Sequence, residues 1–195
     1  MAVKKRGPQQ VRIIGGKWKG RKLQFSGNAS LRPTLGRTRE TLFNWLRPCI
    51  QGAHCLDAFA GSGILGFEAL SQGARTTVLV EQNPRSVQSL KRTIDTLQAA
   101  QCTEVVCGDV VAYLRRTRAP FDIVFLDPPF DRVELLDKTL QTLSECSLVT
   151  QYVYAEARRL DDLLQAAAHN GMDIVKQTRA GDTVAVLMQP TTVCS

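Results

Sequence analysis

The sequence lacks the features that mark membrane, secreted and zinc-binding proteins. No apolar run in its 195 residues approaches the roughly 18 residues that a membrane-spanning helix requires. The basic start MAVKKRGPQQ is not followed by the apolar segment of a secretory signal. The six cysteines form no C-x-x-C pair, and there are only two histidines. We therefore expect a cytoplasmic chain with reduced, mostly buried thiols, no bound metal and no membrane contact.

Acidic residues are almost absent from the first 50 positions. This segment holds twelve Lys and Arg against the single acid Glu40, a net charge of +11, whereas the whole chain carries +7, so the remainder carries −4. A cationic front on an acidic body suggests a polyanionic partner, most simply nucleic acid, although a solvated basic face also fits. The residues that we assign to nucleic-acid contact are Lys17, Lys19, Arg21, Lys22, Arg32, Arg37 and Arg39.

Two patterns divide the chain into a basic front and an alternating body. Residues 1–10 are predicted to be a disordered basic tail, and residues 11–50 a basic extension with a hairpin (11–15 and 21–25) and a helix (34–46). Residues 51–195 alternate apolar strand runs with helical runs, which predicts βαβ units and an α/β fold with a doubly wound, mostly parallel sheet. The predicted strands are 54–60, 76–81, 104–107, 121–127 and 148–155, and the predicted helices are 63–71, 84–99, 110–116 and 133–146. Residues 172–178 and 183–188 predict a closing antiparallel hairpin.

A glycine-rich loop follows the first strand of the body. The run Asp57-Ala58-Phe59-Ala60-Gly61-Ser62-Gly63-Ile64-Leu65-Gly66 has the order strand, G-x-G-x-x-G, helix, in which glycines let a ligand approach the backbone. Glu81 ends the second strand and can accept hydrogen bonds from ribose hydroxyls. Asp109, before Val110, either accepts from an adenine amino group or caps the next helix. These features fit NAD or S-adenosylmethionine, and a tight turn without a ligand is the plainer interpretation.

An acid, two prolines and an aromatic ring follow the fourth strand, as Asp127-Pro128-Pro129-Phe130. Prolines stiffen the turn and lack N–H donors, which leaves a carboxylate and carbonyl groups beside a ring. Such an acceptor-rich pocket suits the exocyclic amino group of a nucleobase. Asp127 and the Pro128 carbonyl would accept its two hydrogens, and Phe130 would stack on the base. The alternative is a rigid loop with a helix-capping aspartate.

The glycine loop followed by D-P-P-F resembles the amino methyltransferases that act on nucleic acids. The front of the chain carries a more specific match, because Arg12-Ile13-Ile14-Gly15-Gly16, Lys19-Gly20-Arg21, Leu31-Arg32-Pro33-Thr34 and Arg39-Glu40-Thr41-Leu42-Phe43-Asn44-Trp45-Leu46 occur in order before the loop. Over residues 11–190 these segments resemble the bacterial small-subunit (16S) rRNA guanine-N2 methyltransferases of the RsmD type. Asn83-Pro84 departs from the acidic residue that more usually follows the ribose-binding Glu.

The resemblance implies a Rossmann-like fold, S-adenosylmethionine as cofactor and methyl transfer to the N2 amine of a guanine in 16S rRNA. The implied cofactor-binding residues are Asp57, Gly61, Ser62 and Gly63 around the methionine part, Glu81 at the ribose, Asp109 and Val110 at the adenine, and Thr34 closing over the cofactor. The implied catalytic residues are Asp127, Pro128 and Phe130. The expected partner of this monomeric enzyme is free rRNA or a 30S particle.

Three other functions stay open. D-P-P-F serves any exocyclic amine, so an adenine-N6 or cytosine-N4 methyltransferase of DNA or RNA also fits, although no DNA-recognition domain is evident. An NAD-dependent oxidoreductase would use the glycine loop and Glu81 but leaves residues 127–130 unexplained. A non-catalytic RNA-binding module would keep the fold without the chemistry.

Overall fold

Strands and helices alternate through most of the chain. The computed structural model describes residues 9–25, 33–128 and 133–191. The strands are β1 (Gln9–Arg12), β2 (Lys22–Phe25), β3 (His54–Asp57), β4 (Thr76–Glu81), β5 (Thr103–Cys107), β6 (Phe121–Leu126), β7 (Val149–Ala157), β8 (Met172–Ala180) and β9 (Thr183–Pro190). The helices are α1 (Pro33–Leu46), α2 (Ile64–Ser71), α3 (Pro84–Leu97), α4 (Val110–Leu114), α5 (Val133–Glu145) and α6 (Leu160–His169).

Strands β3 to β9 form one sheet, in the order β5-β4-β3-β6-β7-β9-β8. Strands β3 to β7 pair in parallel, whereas β9 runs antiparallel to both of its neighbours, β7 and β8. The expected doubly wound sheet with a closing antiparallel hairpin is confirmed. The strand order reverses between β3 and β6, and in such sheets ligands bind beyond the carboxyl ends of the strands at the reversal. The glycine loop and residues 127–130 follow these two strands.

Helices cover the sheet on both faces because its central strands are apolar on both sides. One core cluster contains residues of α1, α2 and α3, such as Leu42, Phe67 and Leu90. The other contains residues of α4, α5 and α6, such as Leu114 and Leu140. Among the residues that the structure describes, every helix is too short or too polar to span a bilayer.

The N-terminal hairpin (residues 9–25) forms a separate two-stranded sheet that docks on α2 and α3. Its turn contains one 3-10 turn, Gly16–Trp18, and buries Trp18. The Trp18 amide donates to Ser71 Oγ at 2.9 Å, and that hydroxyl donates to the Gly15 carbonyl at 2.6 Å. Gly16 has φ +72°, and a Cβ there would lie 1.7 Å from the Ser71 carbonyl oxygen, so only glycine fits this contact.

Several expectations from the sequence need correction. Residues 9 and 10 belong to β1, so the predicted tail ends earlier than residue 10, and residues 1–8 lie outside the described residues. Helix α6 was not predicted. The thiols are not mostly buried, since Cys107 and Cys146 are exposed and Cys49 and Cys102 half-buried, which leaves Cys55 alone buried among the described cysteines.

Candidate active site

The glycine loop joins the end of β3 to the start of α2 at the point where the strand order reverses. Backbone hydrogen bonds fix its start, from the Ala58 amide to the Phe125 carbonyl at 3.0 Å and from the Ala60 amide to the Val80 carbonyl at 2.9 Å. Gly63 precedes α2 with φ +74°, and a Cβ there would lie 2.5 Å from the ring of Phe67. The loop is therefore pinned between β4 and β6, with Gly61 exposed and Ser62 half-exposed.

Glu81 at the end of β4 braces the same loop. One carboxylate oxygen accepts from the Gly61 amide at 2.8 Å, and the other accepts from the Asn83 amide at 2.7 Å. Each carboxylate oxygen can accept a second hydrogen bond, and the residue is only half-buried. Glu81 can thus hold the loop and receive ribose hydroxyls at the same time.

Asp109 lies exposed at the end of β5. Its Oδ1 accepts from the Ala112 amide at 2.9 Å, which makes it the N-cap of α4, and its Oδ2 accepts from Gln82 Nε2 at 3.0 Å. The interpretation of Asp109 as a helix cap is confirmed, and contact with an adenine stays a prediction. Val110, the first residue of α4, is buried.

Asp57 is buried at the end of β3, and its Oδ2 accepts from the Gly66 amide at 3.0 Å. Burial raises the pKa of Asp57 to about 7, and the nearby charge of Glu81 acts in the same direction. The backbone hydrogen bonds from Gly66 and Phe59 oppose this shift in pKa. A cation bound beside such a buried carboxyl group would stabilise its ionised form and so lower its pKa.

Asp127 follows β6 directly, beside the buried Pro128. Burial raises the pKa of the Asp127 carboxyl well above its ordinary value, and the charges of Glu156 and Asp57 raise it further. Asp57, Asp127 and Glu156, with Tyr154, form an acidic cluster at the carboxyl ends of β3, β6 and β7. Phe130 lies outside the described residues, so its predicted stacking role stays a prediction.

The predicted RNA contacts on the N-terminal hairpin are exposed. They are Lys17, Lys19, Arg21 and Lys22, and Arg37 on α1 is exposed as well. The Lys17 ammonium lies 4.3 Å from the ring centre of Trp18. Arg32 and the side chain of Thr34 lie outside what the structure describes, so the roles predicted for them stay predictions.

Arg39 corrects the prediction that it contacts RNA. Its side chain is 5% exposed, its Nε lies 3.6 Å from Glu68 on α2, and its Nη2 donates to the Arg12 carbonyl at 2.7 Å. Glu68 also accepts from the Ile14 and Gly15 amides, at 2.9 Å and 2.8 Å. The buried Arg39–Glu68 pair therefore fastens α1 and the N-terminal hairpin to α2, instead of facing a ligand.

Sequence reasoning missed three cations on α3. Arg85, Lys91 and Arg92 are exposed, and none of them forms an ion pair within the described parts of the chain. Helix α3 lies against β2, since Ser89 Oγ donates to the Gln24 carbonyl at 3.0 Å. The signal was available, because these cations lie on polar positions of a strongly amphipathic helix that begins three residues after Glu81.

Comparison with known proteins gives consistent matches over most of the chain. A family model described as conserved hypothetical protein 95 matches residues 11–189. The ribosomal RNA small subunit methyltransferase D of Escherichia coli K12 is 48% identical over 139 residues, which cover 71% of this chain and 69% of that protein. The protein of the same name from Haemophilus influenzae is 43% identical, covering 70% of this chain and 72% of its own.

A solved structure has the same architecture. The putative methyltransferase yhhF from Escherichia coli is 38% identical and superposes with a TM-score of 0.81. The match covers 95% of this chain and 100% of that structure. The likeness therefore includes the N-terminal hairpin and α1 as well as the seven-stranded sheet.

Proposed function

Because this chain belongs to the same family as the ribosomal RNA small subunit methyltransferases D, we propose that it methylates the exocyclic N2 amine of a guanine in small-subunit rRNA. The methyl donor is S-adenosylmethionine. The observation that carries the proposal is the position of Asp127 and Pro128, which places an acceptor-rich turn next to the glycine loop at the reversal of the sheet. Free rRNA or a 30S particle as substrate, and a monomeric enzyme, are further parts of this proposal.

The residues present fit S-adenosylmethionine better than a nicotinamide dinucleotide. The first carries a sulfonium and an ammonium group, whereas the second brings a negatively charged pyrophosphate. Three carboxyl groups, Asp57, Glu81 and Asp127, lie at this edge of the sheet, and burial raises the pKa of Asp57 and Asp127. An anion there would meet repulsion, whereas a cation would lower the cost of ionising the buried acids. This argues against the NAD-dependent oxidoreductase.

Positioning of the amine is the main work left to the protein. S-adenosylmethionine supplies a methyl group on a sulfonium sulfur, which keeps the bonding electron pair as the methyl leaves. The guanine N2 lone pair is delocalised into the ring, so the free amine is a poor nucleophile. Acceptance of its hydrogens by Asp127 and the Pro128 carbonyl draws the nitrogen out of planarity and directs its lone pair to the methyl group. After the N–C bond forms, the nitrogen loses a proton to Asp127 or to water.

The target base must be free of its pairing partner. The N2 amine of a paired guanine is hydrogen-bonded inside the duplex, so the enzyme acts on an unpaired or flipped nucleotide. The carboxyl groups that would face the sulfonium of the bound cofactor lie at the carboxyl ends of β3 and β6, and the exposed cations of the N-terminal hairpin and α3 are available to hold the surrounding phosphates.

Glu81 gives a test of the cofactor site. We expect Glu81→Gln to weaken S-adenosylmethionine binding roughly 10-fold or more, since an amide cannot accept from both backbone N–H groups and the ribose as a carboxylate does. Calorimetric titration with S-adenosylmethionine measures the change. Glu104→Gln, at an exposed position on β5, is the matched control and should bind as the wild type does. Equal affinity of the Glu81 variant would remove Glu81 from the site.

The N-terminal hairpin gives a test of RNA docking. Reversal of Lys17, Lys19, Arg21 and Lys22 to Glu is expected to weaken RNA binding and to reduce the slope of log affinity against log salt, because fewer counterions are released. Reversal of four other exposed arginines, Arg115, Arg116 and Arg118 near the end of α4 and Arg179 on β8, is the control for net charge alone. An unchanged salt slope for the hairpin variant would show that RNA docks elsewhere.

The substrate itself is identified by mass mapping of rRNA from cells with and without the protein. We expect one N2-methylguanine in small-subunit rRNA to disappear when the protein is absent. Methyl-transfer assays with rRNA, 30S particles and DNA then separate this function from that of an adenine-N6 or cytosine-N4 enzyme. Methylation of DNA with no transfer to either RNA substrate would overturn the proposal.

A further inference from the structure

Resting on the function proposed above, we propose that Glu156, held by Tyr154, is a positioning residue that sets the charge state of Asp127 during methyl transfer. Glu156 belongs to none of the sequence motifs that pointed to the site. It is 7% exposed near the end of β7. A charge buried there lowers the stability of the fold unless a partner hydrogen-bonds to it.

The register of the sheet places Glu156 next to Asp127. In the parallel pairing of β6 with β7, Phe125 lies opposite Tyr154 and Leu126 opposite Ala155. Asp127, the next residue after β6, therefore lies beside Glu156. Because side chains alternate along a strand, Asp127 and Glu156 point to the same face of the sheet as Phe125 and Tyr154.

Tyr154 fixes Glu156 in this place. Its hydroxyl donates to Glu156 Oε1 at 2.5 Å, and its own side chain is fully buried. Burial raises the pKa of Glu156, and the hydrogen bond from Tyr154, which favours the ionised carboxylate, opposes part of that rise. The Tyr154 phenol stays protonated, because burial and the charge of Glu156 hold its pKa well above its ordinary value.

Neighbouring strands add one further negative charge to the pair. From β3, Asp57 adds further negative charge near Asp127. From β9, the register partner of Glu156 is the uncharged Ala185. From α1, the ring of Phe43 lies 6.0 Å from that of Phe125, and Arg39 of α1 pairs with Glu68 of α2.

Glu156 is buried and Asp127 is half-buried. Two such adjacent carboxyls share protons as a pair, so the charge on one sets the proton affinity of the other. With Tyr154 holding the negative charge on Glu156, Asp127 becomes a stronger base than an isolated aspartate. A stronger base suits the last event of the reaction, in which the methylated nitrogen gives up its proton to the Asp127 carboxylate. Glu156 thereby acts on the substrate only through Asp127.

Glu156→Gln tests this with little disturbance of shape, because the amide oxygen still accepts from the Tyr154 hydroxyl. We expect the acidic limb of the pH profile of single-turnover methyl transfer to move about one unit or more to lower pH, since Asp127 then ionises without a charged neighbour. The plateau rate should fall as Asp127 becomes a weaker base, with KM for S-adenosylmethionine little changed. Tyr154→Phe should move the acidic limb in the same direction but by less. Without the Tyr154 hydroxyl, Glu156 binds a proton more readily, which leaves less negative charge beside Asp127.

A carbon-13 NMR titration of the Asp127 carboxyl, in the protein without cofactor or RNA, tests the same inference independently of activity. The midpoint should be lower in Glu156→Gln than in the wild type and unchanged in Glu145→Gln, an exposed control on α5. An unshifted midpoint, or a rate loss with the pH limb unmoved, would reduce Glu156 to a structural role and overturn the inference. Absence of methyl transfer by the wild type would instead refute the proposed function, and the NMR result would still decide this one.

Discussion

Replacing Asp127 with alanine is expected to lower the rate of methyl transfer at least ~100-fold while S-adenosylmethionine still binds. In the proposed mechanism the carboxylate orients the amine and takes its proton, whereas Glu81 and the glycine loop, which are proposed to hold the cofactor, are untouched. Single-turnover assays on RNA and calorimetric titration with S-adenosylmethionine measure the two effects separately. Turnover near that of the wild type would refute the mechanism.

Replacing Asp127 with asparagine is expected to leave the stability of the fold unchanged or to raise it. Because the folded-state pKa of Asp127 is raised, the folded protein binds more protons than the unfolded chain above the unfolded pKa of about 4, and stability falls as pH rises towards the folded pKa. Asp127→Asn removes that penalty, so its free energy of unfolding at neutral pH should equal or exceed that of the wild type. Chemical denaturation at pH 5 and pH 7 checks this, with Asp182→Asn in the exposed β8–β9 turn as control. Loss of activity together with an equal or higher free energy of unfolding would show that the Asp127 carboxyl group contributes to function and not to folding.

Breaking the buried Arg39–Glu68 pair is expected to have the largest effect on stability. Glu68→Gln leaves the Arg39 charge buried without its partner and turns an amide group towards backbone N–H donors, which should cost roughly 3–5 kcal/mol of unfolding free energy. RNA affinity should fall with it, because the N-terminal hairpin is no longer held in place. Denaturant unfolding and RNA-binding titrations measure the two losses.

The chain provides its own control for this pair. Arg159 and Asp161 form an ion pair at 3.3 Å with side chains 70% and 69% exposed, and Arg159→Met should change stability by no more than about 0.5 kcal/mol. The double variant Arg39→Met/Glu68→Gln should be less destabilised than the sum of its single variants, because it leaves no unpaired charge. A small effect of Glu68→Gln would mean that the hairpin is held by its apolar contacts, chiefly those of Trp18.

The sequence could predict the parts of the fold that depend on local patterns. The strand of residues 76–81 is confirmed at both ends, and the glycine loop lies between strand and helix as expected. Helix α6 was missed although Leu160, Leu163, Ala166 and Ala167 have helical spacing, so that signal was present. The predicted strand 148–155 stopped one residue before Glu156, which β7 includes.

The parts of the site that escaped prediction depend on distant partners. Arg39 is one of twelve basic residues in the first 50, and only the folded chain brings Glu68, 29 positions away, against it. The register of β6 against β7 places Glu156 beside Asp127, and no local sequence pattern predicts that register. The cations on α3 escaped prediction because the residues after position 50 carry a net charge of −4, which hides a local cluster of positive charge.

Helix α1 packs against β8 and β9, so elements far apart in the sequence complete one another. Local contacts such as β3 with β4 can form while the chain is still being made, but α1 must wait for strands that are synthesised much later than itself. The ion pair that orients the N-terminal hairpin depends on α1 being docked. A nascent chain therefore carries its cationic segment before the Arg39–Glu68 pair holds the hairpin in place, and α1 reaches its final packing only once β8 and β9 have been made.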